Sequence, residues 1–277
     1  MSAAVRFVVP AEQAEAVEEK LFEWFGEVPF SAARGVLSDL SIWVDRDDAV
    51  AARTILARLG AGDLAPFEEI SRDWVAEAAT LQRSVSVGRY LLDPHDGALA
   101  TSPAPGQIRL LLPAARAFGT GSHESTRLAL GLLLGESLAG RCVLDVGCGA
   151  GTLAFVAALE GAARVVAFDL DIDAALATRE HSRANRIPRL ATFAGSIEAL
   201  RPETRFDVVV ANLIREEVAP LLRGIRSHLV RGGHLISSGL LVEREREWKG
   251  LLGRNGFRVV HTLTENEWLG TAAESLE

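Results

Sequence analysis

Residues 143–151 read Val143-Leu144-Asp145-Val146-Gly147-Cys148-Gly149-Ala150-Gly151, and this stretch decides the fold. Its apolar start suits a parallel strand buried on both faces. The glycines that follow at alternate positions let the backbone turn tightly and approach a ligand where a Cβ would obstruct it. Residues 152–159 have a helical composition, so strand, glycine loop and helix make the first half of a nucleotide-binding crossover. A plain structural turn is the competing reading of the glycines alone.

Spacing and charge choose between two ligand classes. A dinucleotide fingerprint needs its third glycine at 152, where this chain has Thr152. Asp145, at the end of the strand, would repel a pyrophosphate, whereas it would attract the ammonium group of a phosphate-free zwitterion such as S-adenosylmethionine.

The 277 residues allow one large domain and a small one. A composition of 48% hydrophobic and 24% charged residues is that of an ordinary globular protein. The formal charge of −8 disfavours a nucleic-acid partner reached by electrostatics alone and is compatible with a basic protein partner. No apolar run is long enough to span a membrane, and residues 1–10 lack the features of a secretion signal, so the expected location is the cytoplasm. Cys142 and Cys148 are too far apart along an extended strand for a disulfide and are read as reduced thiols. The six histidines are scattered with no ligand pattern, and no metal is expected.

Before the glycine loop, residues 1–70 read as strand 5–9, helix 11–25, strands 30–33 and 40–44, a helix to 59 and strand 67–70. This βαββαβ order is the ferredoxin-like plan, and without histidine, cysteine or a glycine loop the module suits docking better than catalysis. Residues 71–106 read as a linker, with a short helix over 73–83, a strand over 85–92 and an exposed loop over 93–106. From 107 to 277 the pattern is that of the large domain, beginning with a strand at 108–112.

Ala117-Phe118-Gly119-Thr120-Gly121-Ser122-His123-Glu124-Ser125-Thr126 precedes an amphipathic helix expected over 127–138. Ser125 reads as a cap; Phe118 and the pair Gly119 and Gly121 describe a loop that presents an aromatic ring and open backbone to something flat or polar, with Phe118, Gly119 and Thr120 as candidate cofactor contacts. After the first crossover, strand 164–168 ends in Asp169, about where nucleotide folds place the reader of a ribose diol. Asp171 and Asp173 suit the cap and first turn of the next helix. Strand 190–194 leads to Gly195-Ser196-Ile197, either a reader of an adenine edge or a turn. Strand 206–211 ends at Asn212-Leu213, either at the reacting centre or as a turn asparagine, because open α/β sheets bind ligands at the carboxyl ends of their strands. Helix 216–229, strand 234–238, helix 243–254 and strands 257–263 and 268–273 complete a seven-stranded sheet with one antiparallel strand near its edge.

Together, residues 118–126, the loop 143–151, Asp169, Asn212-Leu213 and Ser238-Gly239 resemble a class I S-adenosylmethionine-dependent methyltransferase, and more narrowly the ribosomal protein L-eleven methyltransferase family. The chain departs from that family's pattern at Ala78 and at His95, where the family carries tryptophans. The resemblance implies a Rossmann-like methyltransferase domain behind a ferredoxin-like substrate-recognition domain. It also implies methyl transfer to lysine ε-amines, and to an N-terminal amine, of a large-subunit ribosomal protein. It places cofactor contacts at Thr126, Gly147, Asp169 and Asn212, with Phe118, Gly149 and Ser196 as neighbours. Asn212, Leu213 and His123 are the candidates at the reacting centre, and for His123 a structural role is preferred to that of a general base. Three alternatives remain: the same chemistry on another protein or a small amine, a nucleotide-dependent oxidoreductase, and a non-catalytic binding protein.

Overall fold

The computed structural model describes residues 2–10, 30–34, 37–45, 83–113 and 123–276. The chain divides into two compact units, Met1–Asp73 and Trp74–Glu277.

In the first unit β1 (Ser2–Pro10), β2 (Phe30–Arg34) and β3 (Leu37–Asp45) form an antiparallel sheet in the order β1-β3-β2. All three run longer than the sequence pattern suggests. Insertion of β3 between β1 and β2 is the arrangement of a split βαβ unit. The helices expected over 11–25 and 48–59, the strand over 67–70 and the helix over 73–83 lie wholly or mostly outside the described residues.

The second unit opens with a small sheet where a single strand over 85–92 was expected. β4 (Val85–Val87) and β5 (Tyr90–Asp93) are separate antiparallel strands, because Gly88 adopts a φ of +55° and turns the chain between the paired Val87 and Tyr90. β6 (Ile108–Leu111) pairs parallel to β5. The intervening loop is largely exposed as expected, but the buried Asp93 carboxylate anchors it, accepting from the amides of His95 and Thr101 and from the Arg109 guanidinium at 2.6 Å.

The main sheet has the order β12-β13-β11-β10-β7-β8-β9. Its strands are β7 (Cys142–Val146), β8 (Arg164–Asp169), β9 (Leu190–Ala194), β10 (Phe206–Asn212), β11 (Leu229–Leu241), β12 (Phe257–Glu265) and β13 (Trp268–Ser275). Strands β11, β10, β7, β8 and β9 run parallel, and β13 lies antiparallel between β11 and β12, which is the seven-stranded architecture expected from the pattern. β11 is much longer than its expected core of 234–238, because it starts directly after the preceding helix and pairs Leu229 with Phe206 before a register shift.

Helices α1 (Glu124–Leu134), α2 (Thr152–Leu159), α3 (Ile172–Ala184), α4 (Arg215–His228) and α5 (Glu245–Arg254) connect these strands. α1 begins earlier than the expected residue 127 because His123 caps it, its Nδ1 accepting from the Ser125 amide, and it stops at Gly135. Alternation along the strands sends Val143, Val208 and Val210 to one face with Leu130 and Phe155 of α1 and α2. It sends Leu144, Val209 and Ala211 to the other, with Val218 and Leu222 of α4 and Trp248 of α5. Each fully buried side chain of this size contributes roughly 1.5–3 kcal/mol. From β7 the strands are added outward as β8 and β9 on one side and as β10 and β11 on the other, so the winding order reverses between the parallel strands β7 and β10, and the crevice beyond their carboxyl ends is the topological switch point.

Candidate cofactor and active site

The glycine loop leaves β7 with Gly147, Gly149 and Gly151 at φ of +71°, +51° and +89°, conformations that side chains resist. Two of these positions also need the missing side chain. A Cβ on Gly147 would lie 2.6 Å from Leu213 Cδ2, and one on Gly151 would lie 2.5 Å from the Phe155 ring. The amides of Gly147 and Cys148 donate to the Phe168 carbonyl at 2.9 and 3.0 Å, tying the loop to β8. From α3, Thr178 Oγ1 donates to the Gly149 carbonyl at 2.7 Å and His181 Nδ1 meets that of Ala150 at 3.0 Å.

Asp169 ends β8 with one backbone donor on each carboxylate oxygen, Gly149 N on Oδ2 and Asp171 N on Oδ1, both at 3.0 Å. Each oxygen keeps further acceptor capacity. Asp171 caps α3 as expected, accepting from the Asp173 amide.

Asn212 stands at the end of β10. Its Nδ2 donates to Thr126 Oγ1 at 3.1 Å, which turns Oδ1 into a buried acceptor with no partner among the described residues. The neighbouring Leu213 amide donates to the Ser238 carbonyl at 3.1 Å, so β11 holds the turn in place. That contact requires Gly239, whose φ is +84° and whose Cβ would lie 2.7 Å from the Leu213 carbonyl oxygen. The sequence marks Ser238-Gly239 without revealing this close approach.

These groups converge on a cleft of about 420 Å³ lined by Thr126, Gly147, Gly149, Asp169, Asn212 and Leu213. Thr152, Asp171, Ile214 and Glu217 line it as well, and the sequence nominated none of them for the site. Glu217 was detectable only as an acidic residue in the first turn of the helix after Asn212.

Three other nominated residues are placed differently. Asp145 was expected to face the ligand, but it is fully buried and does not line the cleft; its Oδ2 accepts from the Ala154 amide of α2 at 3.1 Å and its Oδ1 has no partner among the described residues. Burial pushes its carboxyl up to about 7, with a smaller contribution from the charge of Asp169. His123 caps α1 and packs edge-on against Trp268 with ring centroids 4.6 Å apart, outside the cleft lining. Ser196 also lies outside the lining, its hydroxyl engaged with Glu198. Phe118, Gly119 and Thr120 lie outside the described residues.

The chain and its architecture match known relatives. The family described as ribosomal protein L11 methyltransferase (PrmA) matches residues 47–275. A protein named ribosomal protein L11 methyltransferase from Pseudomonas aeruginosa is 35% identical over 264 residues, covering 88% of each chain. One of the same name from Desulforapulum autotrophicum is 36% identical over 173 residues, and there the match spans 62% of this chain but only 57% of the relative's own length. A crystal structure of a ribosomal protein L11 methylase from Lactobacillus delbrueckii subsp. bulgaricus superposes with a TM-score of 0.62 at 25% identity, covering 71% of this chain and all of that one. The chain therefore belongs to the ribosomal protein L11 methyltransferase family, whose members use S-adenosylmethionine.

Proposed function

We propose that the protein transfers methyl groups from S-adenosylmethionine to lysine ε-amines, with an N-terminal amine as a second acceptor, on a ribosomal protein of the large subunit. The relatives' names point to L11 as that protein, and the reading places the enzyme in the cytoplasm. Among the described residues no helix is long and apolar enough to cross a membrane.

The carrying observation is the unpartnered, buried Oδ1 of Asn212 in the wall of the cleft. An orphan acceptor of this kind costs roughly 1–3 kcal/mol unless a ligand donor fills it, so it marks the place where an N–H belongs. The remaining lining fits the cofactor. Asp169 offers two acceptor oxygens for a ribose diol, the bare backbone at Gly147 and Gly149 permits close approach, and the volume lies within the range of small-ligand sites.

S-adenosylmethionine supplies an electrophilic methyl group on a sulfonium. The chain's part is to bring an amine nitrogen to it in line and without its extra proton. Thr126 fixes the rotamer of Asn212, and Oδ1 can then accept an amine N–H and aim the nitrogen lone pair into the cleft. A lysine amine ordinarily titrates near 10.4, and desolvation among Leu213, Ile214 and the loop backbone favours its neutral form. Glu217 at the rim attracts the cationic side chain before that proton is lost. His123, engaged at the cap of α1, is assigned no proton transfer.

Incubation of the purified protein with S-adenosylmethionine and purified L11 should add masses of 14 Da per methyl group, a mass increment set by chemistry at roughly one CH₂ per transfer, located on lysines by peptide mass spectrometry. Cofactor binding in calorimetry without any such transfer would reject the proposed acceptor, and absence of cofactor binding would reject the reaction class.

A further inference from the structure

A second cavity, of about 600 Å³, lies at the other end of the sheet and is lined by Arg205, Arg223, Arg226, Arg231 and Arg254, with no Asp or Glu among the described lining residues. Its position follows from the strand register. Phe206 pairs with Leu229 at the start of β10 and β11, whereas Asn212 pairs with Ser238 at the catalytic end; six residues of strand separate the two ends by roughly 20 Å. Arg205 directly precedes β10, Arg223 and Arg226 lie on the last turns of α4, Arg231 is in β11 and Arg254 ends α5. Five guanidiniums from three elements and a loop thus gather on one end of a chain whose formal charge is −8.

Among the described residues, three of these charges have no carboxylate against them. Arg205 donates only to the neutral carbonyls of Pro202 and Thr204, at 2.6 and 3.0 Å, while Arg223 and Arg254 have no hydrogen-bond or ion-pair partner among the described residues. Clustered cations repel one another, and the planar guanidinium fork is matched to the oxygens of phosphate.

We propose that this arginine cavity is a binding site for the phosphodiester backbone of RNA. An extended chain suits it better than a mononucleotide, since its described lining has no aromatic ring to stack a base and no glycine-rich loop to cradle a terminal phosphate. Contacts of this type position a protein on RNA without reading sequence. The choice of RNA rests on the proposed acceptor, a component of a ribonucleoprotein particle. The overall negative charge sets the long-range field, while the cavity sets the local one.

The test is fluorescence anisotropy of a labelled single-stranded RNA with the full-length protein, read without methyl transfer so that it stands or falls apart from the catalytic reading. Neutralisation of three phosphates gives a log–log salt slope of about −2, hence about a 20-fold loss of affinity for a fourfold rise in salt. The double variant Arg223→Ala, Arg254→Ala removes two exposed side chains, and should flatten that loss to about threefold while leaving S-adenosylmethionine affinity unchanged. Three results overturn the proposal: no binding at low salt, an unchanged slope in the double variant, or displacement of RNA by millimolar inorganic phosphate at constant ionic strength, which marks a small-anion site.

Discussion

Replacing Asp145 by Asn isolates the charge of the buried acid beneath the glycine loop. Its carboxyl, ordinarily near 3.8, is pushed up to about 7 by burial. The folded protein therefore holds this proton more tightly than the unfolded chain does. The resulting contribution to stability is fully present below about pH 4 and is lost as the pH rises through about 7. Integrated over the two titrations, roughly 2 kcal/mol is lost by about pH 5 and roughly 4 kcal/mol by about pH 8. Asparagine cannot ionise, yet its amide oxygen can still accept from the Ala154 amide that Oδ2 now engages. Packing differences between the two side chains are the same at every pH, and all other titrating groups are common to both proteins. The free energy of unfolding of Asp145→Asn minus that of the parent should thus rise by roughly 2–3 kcal/mol between about pH 5 and pH 8. Urea unfolding of the ligand-free proteins, followed by tryptophan fluorescence and circular dichroism, measures this difference directly. A constant offset across that interval would show that Asp145 does not carry its proton in the folded state, and the account of the loop would fail.

Other perturbations test the remaining parts of the site. Asn212→Ala removes the aimed acceptor and its link to Thr126, so kcat/KM should fall by about 10²–10³ with little change in thermal stability; equal losses of both would reduce Asn212 to a structural residue. Gly239→Ala forces a Cβ to within 2.7 Å of the Leu213 carbonyl oxygen at a φ of +84°, which should cost at least about 2 kcal/mol and depress activity by displacing the Asn212-Leu213 turn, as read by melting temperature and rate. Asp93→Ala leaves the buried end of the Arg109 pair empty and should destabilise by about 3–5 kcal/mol. Burial of Asp93 would raise its pKa, but Arg109 and the His95 and Thr101 amides more than offset it and hold the carboxyl below its ordinary value. Its stabilisation is present above about pH 4 and disappears as the pH falls through the depressed value. The variant should therefore show a flatter acid limb in unfolding experiments.

The parts of this protein that the chain builds locally were legible from its sequence. Glycines at 147, 149 and 151 after an apolar strand, and Asp169 at the end of the next, describe a strand–loop–strand unit whose bonds run from Gly147 to Phe168 and from Gly149 to Asp169. Strand alternation likewise announced the sheet, since every strand of β7 to β13 was anticipated in place and only the bounds moved. Val85 to Asp93 was misread because apolar residues flank Gly88 on both sides, and hydropathy carries no sign of a positive φ. The helix start moved to Glu124 because a histidine, not the hydroxyl of Ser125, supplies the cap.

What the sequence could not convey is the set of relations between distant residues. Asn212 was nominated by its place at a strand end, which leaves a turn asparagine open as the alternative. The distinction comes from Thr126, 86 residues earlier, which takes up the amide's donor and leaves its oxygen alone. Asp145 shows the converse. A carboxylate at the mouth of a ligand loop reads as a ligand contact, yet this one is fully buried, accepts from the Ala154 amide of α2 and does not line the cleft. Charge near a strand end therefore has two outcomes, which differ in the donors that the carboxylate reaches: a helix amide for Asp145, and loop amides beside the cleft for Asp169. In the register of the two adjacent strands Asp145 pairs with Ala167, two positions short of Asp169, and of the two carboxylates only Asp169, at the very end of β8, lines the cleft.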